Sequence, residues 1–123
     1  MTQYLFLLIC LVRLSGVAAT VGETDRFIPL VQAGEGWSTQ ITVMNLSGEP
    51  AYVVAAFAGS AGEWQVELRA PRGKVIGANV EAFLEPGGTL VIETSGMPEK
   101  VVRGFADITE LGDKPIGAVA KLV

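Results

Sequence analysis

Glu63-Trp64-Gln65-Val66-Glu67-Leu68-Arg69 alternates polar and apolar side chains without a break. Consecutive side chains of an extended chain point to opposite faces, so a period of two predicts a strand over 64–69, with Trp64, Val66 and Leu68 buried and the charged side in water. The same alternation places Ile41 and Val43 against Gln40 and Thr42. Leu90 and Ile92 repeat it against Thr89 and Glu93, with Val91 as the exception.

Turn clusters separate these runs: Ala33-Gly34-Glu35-Gly36, Ser47-Gly48-Glu49-Pro50, Gly59-Ser60-Ala61-Gly62, Pro71-Arg72-Gly73, Glu85-Pro86-Gly87-Gly88, Ser95-Gly96-Met97-Pro98 and Gly112-Asp113-Lys114-Pro115. Glycine admits positive φ and proline fixes its own, so such clusters punctuate strands. Strands are expected over 26–31, 37–45, 51–58, 64–69, 75–84, 89–93, 101–109 and 116–122, and no helix. Ala51-Tyr52-Val53-Val54-Ala55-Ala56-Phe57-Ala58 is apolar on both faces, the pattern of a strand central to its sheet. Its reading as an exposed partner surface ranks second, because such a strand left in water invites aggregation. Gly77 and Asn79 predict a bulge or an interruption near a sheet edge within 75–84. Short strands at even spacing in a chain of 123 residues specify an all-β fold, an antiparallel immunoglobulin-like β-sandwich of about seven to eight strands.

The sandwich is expected over 26–123, after a signal peptide at 1–19 and a short linker at 20–25. The apolar run Tyr4 to Val12 has the length of a secretory h-region, and Val17-x-Ala19 offers small residues for cleavage after Ala19. An uncleaved anchor would need about twenty mostly apolar residues and would place Arg13 inside the span. Cys10 lies mid-run after Leu8-Ile9, which is not a lipoprotein signal. The chain is therefore expected to be exported, to the periplasm, the cell surface or the medium, with no stable membrane span after cleavage.

Cys10 is the sole cysteine and there is no histidine. The mature part then lacks disulfides, thiolate nucleophiles, histidine bases and the N/S ligands that zinc favours, so no cofactor is expected. Of 13 acidic and 9 basic residues only Arg13 precedes Ala19, giving the mature part eight basic against thirteen acidic residues and a net charge of −5. Without a basic cluster, nucleic acid and anionic lipid are poor partners.

Several short strings carry a resemblance: Phe27-Ile28-Pro29-Leu30-Val31, Gly34-x-Gly36-Trp37-Ser38-Thr39, Asn45-Leu46-Ser47, Leu84-Glu85-Pro86-Gly87-Gly88-Thr89-Leu90, Glu93-Thr94-Ser95-Gly96, Gly104-Phe105-Ala106 and Gly117-Ala118-Val119-Ala120. Together, from Phe27 to Ala120, they resemble secreted β-sandwich domains abundant in soil bacteria of the Acidobacteria type. The resemblance implies an exported, immunoglobulin-like module and no particular activity. Such domains often continue into a further β segment, so a chain ending at Lys121-Leu122-Val123 reads as a single-domain version or a shortened reading frame.

The candidate ligand contacts are aromatic. Trp37 follows a glycine-rich turn and is expected to be partly exposed, a candidate platform for a sugar ring to which Tyr52 is the candidate addition. Trp64, on the apolar side of its alternation, is expected to be buried. An enzyme could use only carboxylates, such as Glu63 with Glu67 or Asp107 with Glu110. Glycoside hydrolysis sets two such groups about 5 to 9.5 Å apart across a cleft, whereas Glu63 and Glu67 share the wet face of one strand. No nucleophile elbow, phosphate loop or calcium loop is present. Asn45-Leu46-Ser47 fits the glycosylation acceptor pattern, which means nothing in a bacterial protein, the source the resemblance implies, and would set a glycan at a surface turn only in a eukaryotic one. The preferred expectation is a non-catalytic exported module with a structural, adhesive or protein-interaction role. The alternative is a carbohydrate-binding module using Trp37 and Tyr52.

Overall fold

The computed structural model describes residues 2–4, 6–8, 24–59 and 62–123, and every regular element among them is a strand. β1 (Thr2–Tyr4) and β2 (Phe6–Leu8) form a small antiparallel pair. The cleavage point expected after Ala19 lies outside the described residues. Ten strands follow: β3 (Thr24–Ala33), β4 (Thr39–Asn45), β5 (Ala51–Gly59), β6 (Gly62–Glu63), β7 (Leu68–Arg69), β8 (Lys74–Ile76), β9 (Asn79–Leu84), β10 (Thr89–Thr94), β11 (Val102–Glu110) and β12 (Ile116–Leu122). They make two wholly antiparallel sheets: one in the order β12-β4-β10-β7, the other β3-β11-β5-β9-β8 with β6 beside β5.

The alternating apolar residues meet between the sheets. Ile41, Val43, Leu90, Ile92 and Ile116 line one inner face, and Val31, Val53, Ala55, Phe57, Val80, Ala106 and Ile108 line the other. Each is almost wholly withdrawn from water, and at roughly 1.5 to 3 kcal/mol per large apolar side chain this burial is the main force holding a sandwich without disulfides.

Two expected strands are corrected. The segment 64–69 is not one strand: β6 pairs with β5 in the larger sheet, β7 pairs with β10 in the smaller, and residues 64–67 between them belong to no ladder. The chain is changing sheets there. The side-chain alternation persists through the crossing, so Trp64, Val66 and Leu68 are buried and Gln65, Glu67 and Arg69 exposed, although between 64 and 67 no ladder forms and Glu67 C=O accepts a single bond from Ser95 N–H at 3.0 Å. The expected strand 75–84 is a hairpin, β8 and β9 joined through Gly77 and Ala78. Gly77 has φ 60°, the positive value that a tight hairpin turn requires at its first central position. β8 is the sheet edge, so the interruption falls where it was expected.

The sandwich has two polar ends. At one, Glu35 and Gly36 turn the chain with φ of 53° and 86°, the double left-handed geometry of a type I′ turn. The Oγ1 of Thr39 accepts from Gln32 N–H and donates to Gln32 C=O, both at 2.8 Å. The Oγ1 of Thr94 accepts from Thr39 N–H at 2.8 Å and donates to Gln32 C=O at 3.0 Å. Two buried hydroxyls thus tie β3 of one sheet to β4 and β10 of the other. At the opposite end the fully buried Asn45 accepts from Ser47 N–H through Oδ1 at 2.9 Å, while its Nδ2 reaches the carbonyls of Glu49, Leu84 and Glu85 at 2.7, 3.0 and 3.1 Å.

Candidate functional site

The two outer faces differ in chemistry. On the smaller sheet, β4 and β10 present Gln40, Thr42 and Glu93; Gln40 donates to Glu93 at 2.9 Å and Arg69 pairs with Glu93 at 3.1 Å. Met44 and Val119 also point outward there, so the face is mixed polar and aliphatic. The larger sheet turns aromatic side chains outward instead. Because Val53, Ala55 and Phe57 face the core, Tyr52, Val54, Ala56 and Ala58 face out. By the same alternation Glu81 and Phe83 face out from β9, and Phe105, Asp107 and Thr109 from β11.

Register builds these positions into two aromatic pairs. Tyr52 stands opposite Phe83, their ring centroids 4.6 Å apart, and Phe83 is 76% exposed. The Tyr52 hydroxyl donates to Glu81; that hydrogen bond, with desolvation and the carboxylate charge, raises the hydroxyl above its ordinary pKa. Asp107 pairs with Phe27, and the Phe27 and Phe105 rings lie 5.5 Å apart. Since Phe105 stands opposite Ala58, which is six residues from Tyr52 on one strand, the two pairs lie about 20 Å apart. Val54, Ala56 and Ala58 form a floor of small apolar side chains between them.

Trp37 belongs elsewhere. It lies in the Gly34–Trp37 turn, bonded to Gly34 through both backbone groups at 3.0 and 2.9 Å, and is 51% exposed. Glu35 N–H donates to Pro98 C=O at 2.8 Å and Gly36 N–H to Gly96 C=O at 3.0 Å, which fixes the turn. This end adjoins Val102, the partner of Ala33. Tyr52 adjoins Glu110 at the far end of the same strand, its N–H donating to Glu110 Oε2 at 3.1 Å. The structure therefore does not bring Trp37 and Tyr52 together into one platform.

Trp64 is buried beside Phe57, with ring centroids 6.5 Å apart. Its indole lies over Gly104, where a Cβ would overlap both the ring and the Ala58 carbonyl. Among the described residues its Nε1 has no hydrogen-bond partner.

Asp107 and Glu110 do not converge on a cleft. Glu67 is exposed, and the Glu63 side chain lies outside the described set. Asp107 faces out while Glu110, on the same strand, faces in and is 2% exposed. Burial alone would raise the Glu110 carboxyl, but N–H donors from Lys114, Gly112 and Tyr52, with the Lys114 charge, outweigh it and hold the group below the ordinary range. Glu110 closes the turn after β11. Among the described residues no group of three or more His, Cys, Asp or Glu is placed to hold a metal ion. The expected surface setting of the Asn45 acceptor pattern is corrected: the side chain is fully buried and its amide nitrogen is held by backbone carbonyls.

Sequence reasoning missed Phe27, Phe83 and Phe105. The signal for Phe83 was present, since a period of two in 79–84 sets it on the face opposite Val80, Ala82 and Leu84. No protein-family model, no curated protein and no solved structure matches the chain.

Proposed function

We propose that this is a non-catalytic, exported β-sandwich module that acts by binding, with the outer face of its larger sheet as the contact surface and a protein as the partner. One observation carries the reading: Phe27, Phe105, Tyr52 and Phe83 face outward on that sheet around a floor of Val54, Ala56 and Ala58, an aromatic cluster for which the smaller sheet has no counterpart among its described residues. Exposed apolar patches of this kind mark contact surfaces, and aromatic enrichment is the compositional signature of protein interfaces. Export is supported by the apolar leader and by the small residues before Thr20.

We read the sandwich as immunoglobulin-like in its centre. Leaving out β6 and the β8–β9 hairpin and taking β3, β4, β5, β7, β10, β11 and β12 as seven strands in chain order, the second pairs with the fifth, the fifth with the fourth and the third with the sixth, as in that architecture. The first and last strands sit in exchanged sheets.

A second reading, carbohydrate binding, draws on the tilted Tyr52–Phe83 pair with Glu81 alongside, and on exposed Trp37. The test is retention on immobilised envelope proteins of the producing cell and on a panel of polysaccharides. Retention by protein that is lost in Phe83→Ser and Phe27→Ser but kept in Trp37→Ala is the expected result. Saturable polysaccharide binding lost in Trp37→Ala or Phe83→Ser would replace it with the second reading.

A further inference from the structure

Four strands end the two sheets, and three of them are blunted. β7 has 2 residues and β8 has 3, beginning with Lys74. β3 is long, but Pro29 sits where its register with β11 shifts, between the Val31 and Ile28 pairs. Short edges, a lysine and a proline in a bulge are devices that keep a sheet from adding strands. β12 carries one lysine, Lys121, near its end, but it is neither short nor interrupted: its 7 residues pair with β4 without a shift, and it contains no proline.

The polarity of its free side follows from its end. Ser38 and Val123 exchange both backbone hydrogen bonds, at 3.2 and 2.9 Å, so Val123 turns its N–H and C=O toward β4. In an antiparallel ladder this alternates, so Lys121, Val119 and Gly117 do the same. Ile116, Ala118, Ala120 and Leu122 then direct theirs away from β4, where no other described strand pairs with them. Their side chains face inward, yet Ala118 and Ala120 are only partly covered, and Leu122 is 44% exposed. The edge is open in both hydrogen bonding and apolar cover.

We propose that β12 pairs antiparallel with β12 of a second copy of this chain, joining two smaller sheets into one continuous sheet across a two-fold axis at Val119. The strand is self-complementary in that register. Ala118 meets Ala120 and Ile116 meets Leu122, the residues whose backbone groups are free, while Lys121 meets Gly117, so no like charges oppose. Val119, 69% exposed, meets its own copy at the axis in a pair without hydrogen bonds, where side chains approach most closely. Closed two-fold pairing also ends the edge in a dimer instead of a fibre.

Sedimentation equilibrium of the purified protein over a concentration series tests this. The wild type is expected to be a monomer–dimer system. Val119→Lys, which sets like charges face to face, should weaken it about tenfold or more, and an equimolar mixture of Val119→Lys with Val119→Glu should restore dimers. Ala120→Pro removes an N–H that points away from β4, so it should abolish dimers while circular dichroism and the urea midpoint stay near wild type. A wild type that is monomeric throughout overturns the proposal, as would dimers that persist in both Val119→Lys and folded Ala120→Pro, or a charge-swapped mixture that stays monomeric.

Discussion

Glu110 and Asn45 are the two buried polar side chains on which one end of the sandwich closes, and each has its hydrogen bonds satisfied in a way that a near-isostere cannot copy. Glu110 Oε1 accepts from Gly112 N–H at 2.7 Å and Lys114 N–H at 2.8 Å while Oε2 accepts from Tyr52 N–H. Glutamine would turn an amide N–H₂ toward one of these donors, so Glu110→Gln should cost about 1 to 3 kcal/mol in urea denaturation at pH 7. The folded pKa is depressed, so the charge-dependent part of this stability is fully present above the unfolded value of about 4.3 and is lost as pH falls through the folded value. The gap between wild type and Glu110→Gln should therefore narrow on acidification below about pH 4. Asn45→Ala strands the carbonyls of Leu84 and Glu85 and the N–H of Ser47 together, and should lower stability by about 1 to 3 kcal/mol. The asparagine–turn bond was legible in the sequence because it spans two residues. Glu110 was not, because a charged residue at a strand end reads as surface until the turn that wraps it is known.

Gly104 shows what a strand position owes to a segment remote from it. The glycine lies where β11 shifts register against β3 and where the crossing segment 64–67 lays Trp64 on the sheet. Gly104→Ala should destabilise the protein by about 1 to 3 kcal/mol through overpacking, read in the same denaturation experiment. β12 was legible to the residue, since it follows a turn cluster and pairs with β4 along its whole length. The 64–69 stretch was legible in burial but not in pairing. Alternation records which side chains face the core, and a chain passing from one sheet to the other obeys it as well as a strand does. Hydrogen-bond partners come from residues far along the chain, which no local pattern encodes. The Phe27–Phe105 pair, and Phe83 as the partner of the candidate Tyr52, escaped for the same reason: each pair joins two strands, and the register that makes it is not local.

The molecule has one indole at its surface and one in its core, and this division is measurable. Trp37→Phe should leave blue-shifted emission from Trp64 that acrylamide quenches poorly, while Trp64→Phe should leave red-shifted, readily quenched emission from Trp37. Similar quenching of both variants would contradict the burial of Trp64. Phe83→Ser should lower stability by only about 0.5 to 1.5 kcal/mol, the worth of its cross-strand pair with Tyr52, because its side chain is not in the core. The two hydroxyls of Thr39 and Thr94 join the sheets at one end and Asn45 does so at the other, leaving a middle that is apolar and dry. The placement of the outermost strands has a mechanical consequence. Thr24 begins β3 beside Glu110, at one end, and Val123 follows β12 beside Ser38, at the other. Tension applied between those two residues runs along both strands, so the β3–β11 and β12–β4 ladders are loaded in shear, all their hydrogen bonds sharing the force instead of opening one after another.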